Sequence, residues 1–166
     1  MSVPDPVDKV FEGECGVLVF GLGYVGLALS AAYLRKGLRV YGVDKNPDKI
    51  KALQTRSFKF MERKIEEAIY EGLEKKTLRL TTGGLEFASS TCVKVITVPI
   101  YLDWLTKEID YSSLVEVGES VGKGLKNGDL VILESSVPPG TTEGILKPAL
   151  EETSKLVAGK DFYLAY

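Results

Sequence analysis

Short apolar runs alternate with helix-like segments along the chain. Runs rich in Val, Ile and Leu predict buried strands, whereas apolar residues spaced three and four apart predict helices. The predicted strands are residues 15–20, 38–44, 77–82, 93–98, 130–133 and the start of a last strand at 162–165. The predicted helices are residues 24–36, one that begins at Asn46 and Pro47, 64–75, a short one at 85–90, 114–125 and 141–152.

This alternation of strands and helices indicates an α/β fold. Neighbouring parallel strands need a crossover connection, and helices in that role cover both faces of the sheet. The strands are continuous apolar runs, as strands covered on both faces should be. The pattern predicts a Rossmann-type, doubly wound parallel sheet of about six strands. We expect one domain over residues 15–166 and a loose N-terminal arm over residues 1–14.

Residues 16–34 contain no charged side chain and have nearly the length of a membrane span. Acidic residues precede this segment, whereas a signal peptide would begin with basic ones. A buried strand, a glycine turn and a buried helix explain the segment better, so we expect no membrane contact and a cytoplasmic location. Cys15 and Cys92 lie beside strand-like runs, and we expect both to be buried core thiols.

A glycine-rich segment follows the first strand. Residues 21–26, GLGYVG, fit the pattern G-x-G-x-x-G, and the flanking strand and helix give this match its weight. Gly21 permits a tight turn, Gly23 lets a pyrophosphate approach the backbone, and Gly26 lets the helix pack closely on the strand. The helix start offers N–H groups and a positive dipole end to phosphates. The alternative is a plain turn between strand and helix.

Asp44 ends the second strand, where dinucleotide-binding folds carry an acid that hydrogen-bonds the adenosine ribose. A carboxylate there repels a 2′-phosphate, so we predict NAD rather than NADP as the cofactor. The adjacent Lys45 could soften that repulsion. The alternative role for Asp44 is that of a turn or cap residue ahead of Asn46 and Pro47.

Three segments together narrow the family. They are GLGYVGLALS from Gly21, the residues Thr97-Val98-Pro99 after the fourth strand, and residues 134–142, ESSVPPGTT, after the fifth. Together they resemble the N-terminal domain of the UDP-glucose/GDP-mannose dehydrogenase family. The VPPGTT form is most similar to the UDP-N-acetylmannosamine dehydrogenases of that family. The resemblance extends from about residue 16 to residue 166.

The resemblance implies an oxidoreductase of polysaccharide biosynthesis that oxidises the C6 alcohol of a nucleotide sugar to a carboxylate with two NAD. In the family a cysteine thiolate, a lysine and an asparagine perform this chemistry, and they lie in later domains. Neither Cys15 nor Cys92 matches that cysteine. We therefore expect a cofactor-binding part that is inactive by itself. The full-length form is expected to bind the nucleotide sugar and to be a homo-oligomer.

The resemblance also implies roles for individual residues. Ser136 matches a family threonine whose hydroxyl helps hold water near the reacting centre, so we assign it a supporting role in catalysis. Residues 61–65 stand where the family has a substrate-side YEPGL segment, without its proline and glycine. The expected cofactor-binding residues are Gly21, Gly23, Tyr24, Val25, Gly26, Asp44, Lys49, Val98, Pro99 and Ser136.

Other functions stay open at this point. UDP-glucose is the second candidate substrate, and a non-catalytic NAD-sensing Rossmann module is a candidate from another class, although a sensor does not require ESSVPPGTT. A dehydrogenase of hydroxy acids or sugar phosphates is the third. The net charge of −2 gives no reason to expect a nucleic-acid partner. The chain has no histidine, and we expect no metal site.

Overall fold

The computed structural model describes residues 5–88 and 90–166. Its strands are β1 (Gly16–Phe20), β2 (Val40–Val43), β3 (Leu78–Thr81), β4 (Thr91–Ile96), β5 (Tyr101–Leu102), β6 (Ile109–Asp110), β7 (Leu130–Leu133) and β8 (Tyr163–Ala165). Its α-helices are α1 (Pro6–Phe11), α2 (Tyr24–Arg35), α3 (Pro47–Gln54), α4 (Arg63–Glu74), α5 (Leu85–Ala88), α6 (Ser112–Lys123) and α7 (Lys147–Ser154). A π-helix, Thr142–Leu146, leads directly into α7.

Six parallel strands form the central sheet in the order β3-β2-β1-β4-β7-β8. The order reverses between β1 and β4, which is the topological switch point of a doubly wound sheet. The predicted Rossmann-type α/β fold with about six strands is confirmed. Each predicted sheet strand is present, with ends that differ from the prediction by at most two residues.

The side chains of each central strand alternate between two apolar cores. On β1, Val17 and Val19 belong to the core that also contains residues of α2 and α4. Leu18 and Phe20 belong to the core that contains residues of α6 and α7. Successive side chains on a strand point to opposite faces, so helices on both faces bury the whole strand and explain its continuous apolar sequence.

The N-terminal region contains a helix where the sequence predicts a loose arm. The Asp5 carboxylate accepts a hydrogen bond from the Val7 amide at 2.8 Å, and Pro6 stands in the first turn of α1. Both features favour a helix start. The buried Val10 belongs to the core that also contains residues of α2 and α4. Val7, Val10 and Phe11 have the spacing of one helix face, but three apolar residues in a short, charged segment are too few to predict a helix with a period. Residues 1–4 lie outside the described residues.

The prediction that Cys15 and Cys92 are free thiols is wrong. They form a disulfide with a Cα–Cα distance of 5.8 Å across a sequence separation of 77 residues. Cys15 immediately precedes β1 and Cys92 lies in β4, the neighbouring strand. The pairing of these two strands brings the cysteines together at the amino end of the sheet, a proximity that their sequence spacing does not show.

A buried ion pair lies at the same end of the sheet. Lys94 of β4 is fully buried, and its ammonium group donates to the Asp129 carboxylate and, at 2.8 Å, to the Thr91 carbonyl. Burial lowers the pKa of Lys94 to about 8, and the Asp129 carboxylate opposes that lowering. Asp129 directly precedes β7, so the pair joins β4 to its neighbour.

The other end of the sheet presents its carboxyl-terminal loops together. The glycine turn follows β1, Asp44 follows β2, and residues 97–99 follow β4. An antiparallel hairpin of β5 and β6, which the sequence did not predict, extends from the last of these loops. No helix in residues 5–88 or 90–166 is long and apolar enough to span a membrane.

Candidate functional site

The glycine turn after β1 packs against the loop after β4. Gly21 has a φ of 91°, and a Cβ there would lie 2.7 Å from the Thr97 carbonyl oxygen. Glycine meets both demands, because it adopts positive φ freely and carries no side chain. A Cβ on Gly26 would lie 1.9 Å from the Gly21 carbonyl oxygen. The first and third glycines are therefore required by packing within the protein itself.

Thr97 holds this turn in place. Its amide donates to the Phe20 carbonyl at 2.8 Å. Its hydroxyl lies 3.0 Å from the same carbonyl oxygen and 2.6 Å from that of Gly21. These contacts tie the end of β4 to the end of β1, so the turn has a fixed shape before any ligand arrives. Thr97 belongs to one of the three family segments, but nothing in its sequence context indicated this role.

Gly23 differs from its two neighbours in the motif. Apart from its two chain neighbours, no heavy atom of the described residues lies within 4 Å of the position that its Cβ would occupy, and its φ of −76° is open to any residue. Within the part of the chain that the structure describes, neither packing nor backbone conformation accounts for glycine here. Gly23 is the N-cap of α2, where the first N–H groups lack intrahelical partners. The open space therefore stands at an anion-attracting helix start.

Asp44 lies beside this turn. The buried Asp44 carboxylate accepts hydrogen bonds from the amides of Leu22 and Asn46, both at 3.0 Å, and from the Lys49 ammonium at 2.5 Å. A carboxylate offers about four acceptor positions. Three are filled, and about one is left for a ligand hydroxyl.

The proposed cap role of Asp44 is also partly visible. Its Oδ1 accepts from Asn46, but the cap of α3 is Asn46 itself, whose side chain accepts from the amides of Asp48 and Lys49. Because Oδ2 reaches back to Leu22 in the glycine motif, Asp44 links the turn after β1 to the turn after β2. A residue that served only as a cap would not make this link.

A cleft of about 410 Å³ opens at this edge of the sheet. Gly21, Asp44, Lys49, Val98 and Pro99 all line it, so five of the predicted cofactor-binding residues meet in one place. The glycine turn, the β2 end and the β4 loop thus form its walls. These are the structural elements between which dinucleotides bind in this class of fold.

Helix α6 contributes a further wall that the sequence analysis missed. Ser113, Glu116, Val117 and Ser120 line the cleft. Their spacing is that of one helical face, and this polar stripe beside apolar core positions was the available signal. Lys45 approaches the same helix, with its ammonium 3.5 Å from the Ser113 hydroxyl. Lys45 therefore extends toward α6, whereas Lys49 pairs with Asp44.

A second cleft of about 260 Å³ lies beside the glycine turn. Gly23, Tyr24 and Lys49 line it together with Phe58 and Met61. The exposed Tyr24 hydroxyl donates to the Glu62 carboxylate at 2.5 Å. That hydrogen bond and the negative charge of Glu62 raise the pKa of Tyr24. The segment that stands in place of YEPGL thus contacts the motif helix through Glu62.

The remaining predicted residues lie outside both clefts. Val25 is exposed on the first turn of α2, and Gly26 is buried beneath it. Ser136 is exposed, whereas the preceding Ser135 is buried and donates from its hydroxyl to the Val98 carbonyl at 2.7 Å. The structure therefore does not bring Ser136 into the cleft with Asp44. Ser135, which the sequence analysis passed over, braces the β4 loop.

The chain is similar in sequence to a known family of dehydrogenases. The model of the UDP-glucose/GDP-mannose dehydrogenase family, NAD binding domain, matches residues 15–166. The chain belongs to this family. It is 38% identical over 150 residues to a UDP-N-acetyl-D-glucosamine 6-dehydrogenase of Pseudomonas aeruginosa, covering 90% of this chain and 34% of that protein. It is 33% identical over 150 residues to a UDP-N-acetyl-D-mannosamine dehydrogenase of Methanocaldococcus jannaschii, covering 90% of this chain and 33% of the relative.

A solved structure agrees with the family assignment. A GDP-mannose dehydrogenase from Pseudomonas aeruginosa superposes with a TM-score of 0.82 at 26% identity, covering 89% of this chain and 34% of that one. The chain spans about a third of the length of the curated relatives it matches. The predicted family is confirmed, as is its NAD-binding character.

Proposed function

We propose that the cleft between the glycine turn, Asp44 and helix α6 holds the adenosine part of NAD, and that the pyrophosphate lies over Gly23, which lines the second cleft beside the same turn. The observation that carries this proposal is the open space above Gly23, next to a buried carboxylate with about one unfilled acceptor position. Packing explains Gly21 and Gly26, but it leaves Gly23 without a role inside the protein. A ligand that approaches the backbone at the start of α2 supplies that role.

The residues fit this cofactor in their charge and position. The amide groups at the start of α2 attract the pyrophosphate. Asp44 accepts a hydrogen bond from a ribose hydroxyl and repels a 2′-phosphate, and Lys49 keeps the buried carboxylate paired. Val98 and Pro99 form the wall that follows β4. Bound NAD supplies the hydride acceptor. Tyr24, Val25 and Ser136 remain predicted contacts, Ser136 with a supporting role in catalysis.

The whole protein's reaction is the oxidation of a nucleotide-sugar C6 alcohol to a carboxylate. UDP-N-acetylmannosamine remains our first substrate, in agreement with the name of the relative that is 33% identical. UDP-N-acetylglucosamine is the second, since the relative named for it is 38% identical. UDP-glucose is a further alternative. A non-catalytic NAD sensor is the candidate least supported by the family match.

The chain by itself is expected to be inactive. Such an oxidation needs a base for the hydroxyl proton and a nucleophile that traps the aldehyde. The sequence has no histidine, and its two cysteines are joined at the amino end of the sheet, opposite the cleft. We expect no NADH absorbance when this chain is mixed with NAD and UDP-N-acetylmannosamine. Sugar-dependent NADH formation would show that it holds a complete catalytic site.

Cofactor choice tests the proposed function directly. Titration calorimetry of the chain should give tighter binding of NAD than of NADP, because Asp44 stands at the ribose. Asp44→Asn removes the negative charge and should narrow the difference between the Kd values for NAD and NADP. Asp48→Asn, at an exposed position in the first turn of α3, is the matched control and should preserve the preference. Equal binding of NAD and NADP by the unaltered chain would refute the ribose role.

Location and assembly are proposals as well. We place the full-length protein in the cytoplasm and expect it to be a homo-oligomer without nucleic-acid or membrane partners. Disulfides are uncommon in a reducing cytosol, so the Cys15–Cys92 bond makes the location testable. Thiol labelling under denaturing conditions immediately after cell lysis, followed by mass spectrometry, would report which redox state the pair holds in cells.

A further inference from the structure

The cleft contains one exposed aromatic ring for which neither the fold nor the motif accounts. Two aromatic side chains line it within the described residues, Phe20 and Tyr101. Phe20 is buried in the core between the sheet and α6. Tyr101 is 63% exposed, on a hairpin of two-residue strands. Its ring therefore adds little to the core and stands at the cleft.

The hairpin is held on the adenosine side of the cleft. Tyr101 pairs with Asp110 across the two strands, and the Asp110 carboxylate accepts from the Ser112 amide at 2.8 Å at the start of α6. The next residue, Ser113, meets the Lys45 ammonium, and Lys45 follows Asp44 directly. This chain of contacts connects Tyr101 to the turn that carries the proposed ribose acid. The loop that contains Ser135 and Ser136 follows a different strand, β7.

Electrostatic coupling agrees with this placement. The side chain and amide of Ser112 hold the pKa of the Asp110 carboxyl below its usual range, and the charge of Lys45 adds to that effect. The cleft beside the hairpin has apolar walls at Val43, Val98 and Val117. An adenine ring has two apolar faces, and aromatic side chains stack on such faces without regard to the polar edge.

Resting on the proposed function, we infer that Tyr101 is the stacking platform for the adenine base of the cofactor. The hairpin then serves as the adenine-side wall of the cleft, and Tyr101 determines affinity for the adenosine half of NAD. The nicotinamide half gains nothing from this contact. Base–aromatic stacking is of a size that makes loss of the ring measurable as a change of about fivefold or more in Kd.

The test separates the two halves of the cofactor. Titration calorimetry compares ADP-ribose, which retains adenosine and pyrophosphate, with nicotinamide mononucleotide, which lacks adenosine. Tyr101→Ala and Tyr101→Leu should weaken the binding of ADP-ribose and NAD about fivefold or more. The same variants should leave the Kd for nicotinamide mononucleotide unchanged. Tyr101→Phe keeps the ring and should bind as the unaltered chain does. Tyr166→Ala removes a tyrosine at an exposed position outside the cleft and serves as the matched control.

Proton NMR of bound ADP-ribose supplies a second readout. Stacking on Tyr101 should shift the adenine H2 and H8 resonances upfield in the unaltered chain and in Tyr101→Phe, but not in the alanine and leucine variants. Equal affinity and equal bound-state shifts in Tyr101→Ala would overturn the inference while the proposed function stands. Failure of the unaltered chain to bind either NAD or ADP-ribose would overturn the proposed function instead. Circular dichroism of each variant confirms that the fold is retained.

Discussion

Replacing Gly23 by valine separates ligand binding from folding at the centre of the proposed site. The Gly23 backbone has a φ of −76°, and no heavy atom of the described residues other than its chain neighbours lies within 4 Å of its Cβ position. A valine at this position meets no steric obstacle among the described residues, since an ordinary extended conformation accepts any side chain. Folding should therefore be almost unaffected.

Binding should respond strongly to the same change. The valine methyl groups would fill the space through which the pyrophosphate approaches the start of α2. Hydrogen bonds from amides to a charged group contribute about 1.5–3 kcal/mol each. Loss of two such bonds costs about 3 kcal/mol or more, which raises the Kd for NAD at least about hundredfold.

Calorimetric titration with NAD and thermal unfolding by circular dichroism, on one sample, measure both effects. Gly144→Val is the matched control, because Gly144 also has open space at its Cβ position but lines neither of the two clefts. It should change neither NAD binding nor the fold appreciably. Unchanged NAD affinity in Gly23→Val would refute the role of this space. Unfolding of Gly23→Val would refute the packing argument.

Three further predictions concern stability. Gly26→Ala should lower the free energy of unfolding, measured by thermal denaturation, by about 2 kcal/mol or more, because its Cβ would lie 1.9 Å from a carbonyl oxygen. A free energy of unfolding equal to that of Gly144→Ala would contradict this prediction. Reduction of the Cys15–Cys92 disulfide, which closes a loop over a separation of 77 residues, should lower the free energy of unfolding by about 2–4 kcal/mol in urea. Cys92→Ala should be insensitive to reductant, and an unchanged urea midpoint on reducing the unaltered chain would refute the prediction. The pKa of Lys94 is near 8 in the folded chain against 10.5 in the unfolded one, so the unfolded state binds more protons between these values. The free energy of unfolding should therefore rise by up to about 3 kcal/mol from pH 8 to pH 10.5, compared with the double variant Lys94→Met/Asp129→Asn. Parallel pH profiles of the unaltered chain and the double variant would show that Lys94 does not titrate in this range.

The fold could be predicted because its determinants are local. Apolar runs, the glycine motif and the acid that ends β2 each occupy a few consecutive residues, and right-handed parallel crossovers leave few ways to arrange them. Local signals marked Gly21 and Asp44, the family resemblance marked Pro99, and the structure brings the three together in one cleft. The α1 helix and the β5–β6 hairpin were not predicted, because such short elements contain too few residues to show a period.

The remaining features depend on which strands become neighbours. The Cys15–Cys92 disulfide requires the pairing of β1 with β4, and the Lys94–Asp129 pair requires β4 beside β7. A lysine within the apolar run VKVITV indicates that a buried acid pairs with it. Only the strand order identifies that acid as Asp129. The choice between Ser135 and Ser136 depended on the exact path of a loop.

A crystal structure of the chain with bound NAD is the most direct test of the central claim. We predict the pyrophosphate over Gly23 at the start of α2, with an Asp44 carboxylate oxygen within hydrogen-bond distance of an adenosine ribose hydroxyl. Cofactor density away from the glycine turn, or a ribose that makes no contact with Asp44, would contradict the proposed site.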